Sequence, residues 1–241
     1  MKKSLLSLCL VFCIVTIVNS QTTFSWRNDQ NPTSGQWNVS NYWWNGSNAA
    51  LPGGSEILFL DGSVGTTMTN DLPSTIRFKI IFGSTNSPAA RSINGTTTNT
   101  FYEYGSTWPR IDNQSTLTHT INFPFNASTN SGFNMELMAS SGPLVFGGAI
   151  NNNGRTIQVY GNNSVTSNSR YVTLTGVVSG SGILNVSQNG IAQLNGSHTY
   201  TGQTQIDNGE MWITSNGNIS SSSSIYVGNG GQAANVCKFW L

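Results

Sequence analysis

The chain has 241 residues, of which only 10 are Lys or Arg and 9 are Asp or Glu, so its formal net charge is +1 at pH 7. A chain with so few charges lacks the basic surface that nucleic-acid binding requires, and we expect no nucleic-acid partner. The length is enough for one β-domain with a continuous core.

Residues 1–20 have the pattern of a secretory signal peptide. Two lysines follow Met1, an apolar run extends from Leu5 to Val18, and the small residues Val18 and Ser20 suit a cleavage site. The run is shorter than the ~20 apolar residues of a membrane span, although an uncleaved anchor is the alternative. We therefore predict cleavage after Ser20, a secreted or cell-surface location, and no membrane span in the mature chain.

Residues 21–65 are rich in tryptophan and allow two interpretations. The candidate carbohydrate-binding residues are Trp26, Trp37, Trp43 and Trp44. As a cap, these rings would cover the open end of a β-sheet stack, whose backbone N–H and C=O groups are otherwise unpaired. As a platform, they would stack on sugar rings, because tryptophan combines an apolar face with a polar N–H group. In an extended segment 42–44 the side chains alternate, which predicts that at least one ring faces outward.

Residues 66–175 are predicted to form a series of β-helix coils. Apolar residues alternate from Ile76 to Ile80 and again from Leu117 to Phe125, as expected for half-buried strands. Pairs of Gly and Asn between such stretches mark tight corners. His119 lies in the second apolar stripe, so we interpret it as a core residue rather than a ligand.

Residues 176–231 contain short alternating strands in which apolar or small residues also recur at a longer, nearly constant spacing. The recurring pairs are Val172 and Ala192, Leu184 and Thr204, Ala192 and Met211, and Thr204 and Ile225. A period of roughly 20 residues with several strands in each period is typical of a parallel β-helix, whose coils stack ~4.8 Å apart. Plain hairpins at the Asn-Gly pairs are the alternative. The sequence thus predicts an all-β fold, a parallel β-helix with an N-terminal aromatic cap.

The stretch SGSGILNVSQNGIAQLNGSHTYTGQTQIDNGEM resembles the autotransporter-associated β-strand repeat. The matching positions are Gly180, Gly182, Leu184, Gly190, Leu194, Gly196, Thr199, Tyr200, Thr201, Gly202, Thr204, Ile206 and Gly209. The chain departs from the usual motif at Ser187, Ala192 and Met211. The resemblance implies a right-handed parallel β-helix in an exported, passenger-type surface protein. It implies no catalytic residues, because the motif is structural.

The segments before and after this stretch can also be compared with the same family. Residues in the first segment match the Trp-rich stretch that often precedes these repeats in exported bacterial proteins: Trp37, Asn38, Trp43, Pro52, Gly54 and Phe59. Residues 232–241 depart from the repeat, whereas members of the family continue with more coils and then a translocator barrel or a sorting domain. We therefore expect the chain to be a fragment or to end in an altered reading frame.

The acidic residues and the metal-binding motifs give little support to an enzyme. Asp207 and Glu210 are the closest acidic pair in the repeat, but the Asn208–Gly209 corner between them favours a solvated turn over the paired carboxylates of a glycosidase. Zinc and calcium motifs are absent from the sequence. We therefore predict no metal, no cofactor and no enzymatic activity.

These features favour an exported structural or adhesive surface module. Its partners would be extracellular glycans or the surfaces of host or neighbouring cells. One alternative is a carbohydrate-binding module that uses the tryptophan cluster. The other is an enzyme acting on polysaccharides from a β-helix scaffold, which rests on fold analogy alone.

Overall fold

The described part of the chain covers most of the predicted mature protein. The computed structural model describes residues 21–26, 36–54, 56–62, 66–72, 76–84, 89–129, 134–161, 170–228 and 237–241. The predicted signal peptide, residues 1–20, lies outside these ranges, as does the first half of the predicted C-terminal segment.

The described residues form short strands separated by corners rich in Gly and Asn. In chain order the strands are β1 (Thr23–Trp26), β2 (Trp43–Trp44), β3 (Ile57–Leu60), β4 (Thr67–Thr69), β5 (Ile76–Arg77), β6 (Lys79–Phe82), β7 (Ser92–Asn94), β8 (Asn99–Phe101), β9 (Arg110–Asn113), β10 (His119–Ile121), β11 (Phe125–Ala127), β12 (Met135–Met138), β13 (Leu144–Phe146), β14 (Ile150–Asn151), β15 (Ile157–Tyr160), β16 (Val172–Leu174), β17 (Val178–Ser179), β18 (Leu184–Ser187), β19 (Gly190–Leu194), β20 (Thr204–Ile206), β21 (Gly209–Ile213), β22 (Ile225–Val227) and β23 (Lys238–Trp240). A 3-10 turn, Ser40–Tyr42, lies between β1 and β2.

The described strands assemble into three sheets. Sheet A has the order β2-β1-β3-β6-β9-β12-β15-β18-β20-β22, sheet B has β23-β21-β19-β16-β13-β10-β7-β4, and sheet C has β17-β14-β11-β8-β5. From β3 to β18 the chain passes through sheets A, B and C in turn, and each strand pairs in parallel with the strand one circuit earlier. After β18 it alternates between sheets A and B. The fold is therefore all-β with long parallel sheets, as predicted, and the β1–β2 pair is antiparallel.

The predicted long spacings are confirmed as register partners. Val172 pairs with Ala192, Leu184 with Thr204, Ala192 with Met211, and Thr204 with Ile225. These pairings are parallel, which contradicts the hairpin alternative.

The short circuit that the repeat predicts is wrong for the earlier part of the chain. There the connections are longer, and Lys79 in one circuit pairs with Arg110 in the next. Glu136 pairs with Arg110 on one side and with Gln158 on the other, across connections of unequal length. Corner loops vary in length while the strands keep their register.

The alternating stripes of the middle segment turn corners instead of forming long strands. Ile76–Arg77 belongs to sheet C, whereas Lys79–Phe82 belongs to sheet A. The stripe from Leu117 to Phe125 likewise crosses from β10 in sheet B to β11 in sheet C. The alternation predicts that Arg77 and Phe78 point to opposite faces of one strand. The chain turns a corner between the two sheets here, and Arg77 is therefore also buried, at 2 % exposed.

The core is made of rows in which each inward side chain lies beside its register partner in the next circuit. In sheet A one such row is Leu58, Ile80, Ile111, Leu137, Val159, Val186 and Ile206. Full burial of one aliphatic side chain contributes about 1.5–3 kcal/mol. The interpretation of His119 as a core residue is confirmed, since it is 0 % exposed.

Candidate functional site

Three of the four candidate tryptophans form a buried cluster beside the first strands. Trp26 is 4 % exposed, and Trp37 and Trp43 are 0 % exposed. The ring centroids of Trp26 and Trp43 are 5.1 Å apart, and those of Trp37 and Trp43 are 5.6 Å apart. The indole N–H of Trp43 donates to the carbonyl oxygen of Trp37 at 2.8 Å. A sugar ring needs an exposed aromatic face, and these three side chains present none.

Trp44 is the one candidate tryptophan with an exposed ring. It is 38 % exposed, it follows the buried Trp43 directly, and its strand pairs with β1. The alternation predicted for segment 42–44 is therefore observed for these two residues. Since the other three candidates are buried, the four predicted residues do not form a common platform.

Several residues of the predicted repeat motif are buried or hydrogen-bonded within the fold. Tyr200 is buried, and its hydroxyl is 2.5 Å from that of Thr204, which is 2.8 Å from the hydroxyl of Ser222. Burial raises the pKa of Tyr200 to about 12. The motif residues Leu184, Leu194 and Ile206 belong to the core.

Two motif glycines allow successive circuits to approach each other closely. A β-carbon on Gly202 would lie under 3.0 Å from the backbone of Gly182, and one on Gly182 would lie equally close to the backbone of Arg155. Backbone atoms cannot rotate away as a side-chain end can. Glycine at these corners is therefore required by the stacking itself.

Gly202→Ala is expected to lower the free energy of unfolding by about 2 kcal/mol, because the added methyl group must displace the Gly182 backbone. Gly53→Ala is the matched control, since its β-carbon would meet side-chain atoms of Glu56 and no backbone atom, and it should destabilise the protein clearly less than Gly202→Ala does. Urea denaturation of both variants measures the difference. Equal midpoints for Gly202→Ala and the wild type would contradict the close-approach argument.

A groove lies on the outer face of sheet A, where polar side chains follow one another from strand to strand. The outward row is Lys79, Arg110, Glu136, Gln158, Asn185 and Gln205. The groove has a volume of ≈ 410 Å³ and is lined by Ser106, Thr107, Trp108, Arg110, Glu136, Gln158, Tyr160 and Gln188. We call it the sheet A groove. Its size is within the range of ligand pockets.

An ion pair fixes the middle of the sheet A groove. The Nε and Nη2 atoms of Arg110 lie 2.6 Å and 2.5 Å from Oε2 of Glu136, which is 4 % exposed. Burial, together with the nearby charge of Arg110, lowers the pKa of Lys79. Asp112 accepts hydrogen bonds from Gln114 at 2.9 Å and from Ser140 at 2.6 Å. The two cations and two carboxylates give this region no net charge.

Hydrogen bonds also hold the amide of Gln158 in place. Its Nε2 donates to the hydroxyl of Ser187 at 2.6 Å, and its Oε1 accepts from Asn134 at 3.0 Å. Trp108 and Tyr160 are partly exposed. Gln188 follows β18 in the left-handed conformation, with φ of 54°. The sheet A groove thus combines aromatic rings with oriented hydrogen-bonding groups.

The acidic pair considered from the sequence lies elsewhere. Glu210 is in β21 rather than in a solvated turn, and its carboxylate is 2.6 Å from Nζ of Lys238 on the next strand of sheet B. Asp207 accepts a hydrogen bond from Asn185 at 2.6 Å. Both carboxylates are therefore engaged in contacts between neighbouring circuits.

The sheet A groove was missed from the sequence, although a signal for it exists. Alternation around Glu136 and Gln158 places both side chains on the outer face of their strands. Alternation does not give the register between strands, because stretches of chain of unequal length separate Arg110 from Glu136 and Glu136 from Gln158. Unequal loops conceal which outward residues become neighbours.

In the described ranges, no group of three or more His, Cys, Asp or Glu side chains is arranged to hold a metal ion. That part of the chain likewise has no helix with the length and apolar character of a membrane span. Comparisons with protein families, with curated proteins and with solved structures give no match.

Proposed function

We propose that the chain is an exported, non-catalytic surface module built as a right-handed parallel β-helix with an N-terminal aromatic cap. The ordered passage through three parallel sheets supports the coil, and connections between parallel strands are right-handed in nearly all proteins. The burial of Trp26, Trp37 and Trp43 supports the cap. The pattern of residues 1–20 supports export, and the repeat motif supports the relationship to autotransporter-associated proteins.

The activity that we assign is non-covalent recognition of extracellular glycans at the sheet A groove. The observation that carries it is the position of two partly exposed aromatic rings, Trp108 and Tyr160, around polar side chains that are already held by hydrogen bonds. Aromatic faces take the apolar side of a sugar ring, and convergent polar groups take its hydroxyls. The groove replaces the tryptophan cluster as the favoured binding site, since three of those tryptophans are buried.

One observation favours a polysaccharide-acting enzyme as a second candidate. Asp112 and Glu136 occupy diagonal positions on the same face of adjacent strands, next to Arg110. Glycosidases use two carboxylates, one of which must carry a proton as general acid. Oε2 of Glu136 is bound by Arg110 at 2.5 Å. Both carboxylate oxygens of Asp112 accept hydrogen bonds, from Gln114 and Ser140, so both groups are engaged within the protein. We therefore favour binding without turnover.

A glycan array with the recombinant chain from residue 21 onward tests the assignment. Glycans are expected to bind, while pectin, alginate and xylan are expected to yield neither new reducing ends nor unsaturated products. Clear turnover that is lost in Glu136→Gln, a variant of similar size, would establish the enzyme instead. The absence of any bound glycan would overturn the recognition role and leave only a structural one.

A further inference from the structure

The shape and the charge of the sheet A groove restrict the kind of glycan that it can take. This inference rests on the proposed function, because it names the ligand class of the same site. The two aromatic residues lie at opposite ends of the groove along the strand direction. Trp108 precedes the start of β9, and Tyr160 is the last residue of β15.

The distance between these two residues follows from the register. Arg110, Glu136 and Gln158 lie side by side on successive strands, so β9 and β15 are two strand spacings apart. Trp108 lies two residues before Arg110, and Tyr160 lies two residues after Gln158. With ~4.8 Å between strands and ~3.3 Å per residue, an extended path from Trp108 into β9 would place the two Cα positions about 16 Å apart. Both residues line the same groove, so two rings of one sugar chain can stack on the two side chains.

The charges of the groove are balanced within it. The guanidinium of Arg110 is bound to Glu136, so it does not offer an uncompensated positive charge to a uronate or a sialic acid. Asp112 lies two residues from Arg110 on the same strand face, and it is 3 % exposed. Among the residues that line the groove, Arg110 and Glu136 are the charged ones, so an anionic sugar would meet the carboxylate of Glu136 beside an already paired cation, whereas a neutral sugar meets no such opposition.

The polar groups are oriented before any ligand arrives. Glu136 is held by Arg110, and Gln158 is held by Ser187 and Asn134. A carboxylate has several acceptor positions, and an amide offers both donors and an acceptor. Side chains that are already fixed lose little conformational entropy when they bind hydroxyl groups.

We propose that the sheet A groove binds a neutral, linear oligosaccharide of two or more sugar units. The chain lies diagonally across β9, β12 and β15, with one sugar ring on Trp108 and another on Tyr160. The hydroxyls between them bind Glu136 and Gln158. No bond is made or broken in this interaction.

Calorimetric titration of the chain from residue 21 onward tests this proposal. The neutral probes are cello-, xylo- and manno-oligosaccharides of one to six units, and the acidic probe is hexagalacturonate. We expect binding of at least one neutral series, with affinity rising by about tenfold or more from the monosaccharide to the trisaccharide. The affinity should not change with salt concentration, since no net charge is neutralised.

Variants locate the sugar rings. Trp108→Ala and Tyr160→Ala should each lower the affinity for the trisaccharide by about tenfold, whereas Tyr160→Phe, which keeps the ring, should bind like the wild type. Trp44→Ala is the control, because this exposed ring lies outside the groove. If Trp108→Ala fails to fold, the comparison of Tyr160→Ala with Tyr160→Phe still decides the point.

Two results would overturn the proposal while glycan recognition stands: binding of hexagalacturonate alone, weakened by salt, or binding of a neutral series that both alanine variants retain in full. Saturation of the affinity at the monosaccharide would refute the diagonal placement. If neither the neutral probes nor the acidic probe bind, and the array is also blank, the proposed function fails together with this inference.

Discussion

Lowering the pH from 7 to 5 is expected to reduce the free energy of unfolding by about 4 kcal/mol, roughly 2 kcal/mol for each of two buried histidines. His119 and His198 are 0 % and 1 % exposed. Burial, together with the charge of Arg91, lowers the pKa of His119 to about 3. Burial alone lowers the pKa of His198 to about 4. The ordinary pKa of both groups is 6.5.

The hydrogen bonds explain why the neutral ring is preferred. The backbone N–H of Arg91 donates to Nδ1 of His119 at 3.1 Å, and Nε2 lies 2.7 Å from the hydroxyl of Ser115. The backbone N–H of Val178 donates to Nδ1 of His198 at 3.2 Å. An Nδ1 atom that accepts a bond carries no proton. Protonation of Nδ1 would place its N–H group opposite the backbone N–H group that now donates to it, in a buried site.

The direction of the pH effect on stability depends on whether the folded or the unfolded chain binds more protons. Between the lowered pKa and 6.5 the unfolded chain binds more protons than the folded chain, so stability increases with pH in this window. The contribution is present in full above about pH 6.5, and it is lost as the pH falls towards 4 and then 3. Urea denaturation at pH 7, 6 and 5, at constant ionic strength, measures it.

The double variant His119→Gln, His198→Gln is the control. Its stability should be lower at pH 7, yet nearly flat between pH 7 and 5, because few other groups titrate in this interval. A wild-type protein that is equally stable at pH 7 and pH 5 would contradict the burial of both rings. Equal slopes for the wild type and the double variant would assign the acid sensitivity to other groups.

The register of the strands between Val172 and Ile225 was predictable from the sequence because the connections between register partners there are nearly equal in length. In this stretch a nearly constant recurrence gave the correct register partners, such as Leu184 with Thr204. Met211, by contrast, pairs with Phe239 across a longer connection. Upstream, the loops differ in length, and Lys79 pairs with Arg110 across a longer circuit. Alternation of apolar and polar residues identifies a strand. It does not give the length of the loop before the next parallel strand, and so it does not give the pairing partners. The alternation also failed at Arg77, where the chain turns from sheet C to sheet A.

The candidate site was harder to predict from the sequence for the same reason. Each outward residue of the sheet A groove is visible in its own strand, but the groove exists only where Arg110, Glu136 and Gln158 come into register. The tryptophans were conspicuous because they are close together in sequence, and this proximity is what allows Trp26, Trp37 and Trp43 to pack against one another. The closeness of these aromatic residues in the sequence therefore indicated a buried cluster rather than a shared binding face.

Trp43→Ala is expected to lower the free energy of unfolding by about 4 kcal/mol. The side chain is 0 % exposed and packs edge-on against both Trp26 and Trp37. Its removal leaves a cavity between these two rings. It also leaves the carbonyl of Trp37 without the indole N–H that donates to it, and an unpaired buried acceptor adds to the cost. Thermal and urea denaturation at pH 7 measure the change.

Trp44→Ala is a control at the next position, with an exposed side chain on the other face of β2. It should lower the free energy of unfolding clearly less than Trp43→Ala does, because the Trp44 side chain is already partly in contact with water. Because Trp43 and Trp44 differ in burial but not in residue type, the two variants separate packing from recognition. If Trp44→Ala abolishes glycan binding while the fold is intact, the tryptophan segment is a binding platform after all. If Trp43→Ala is as stable as the wild type, the buried cluster does not stabilise this end of the sheets.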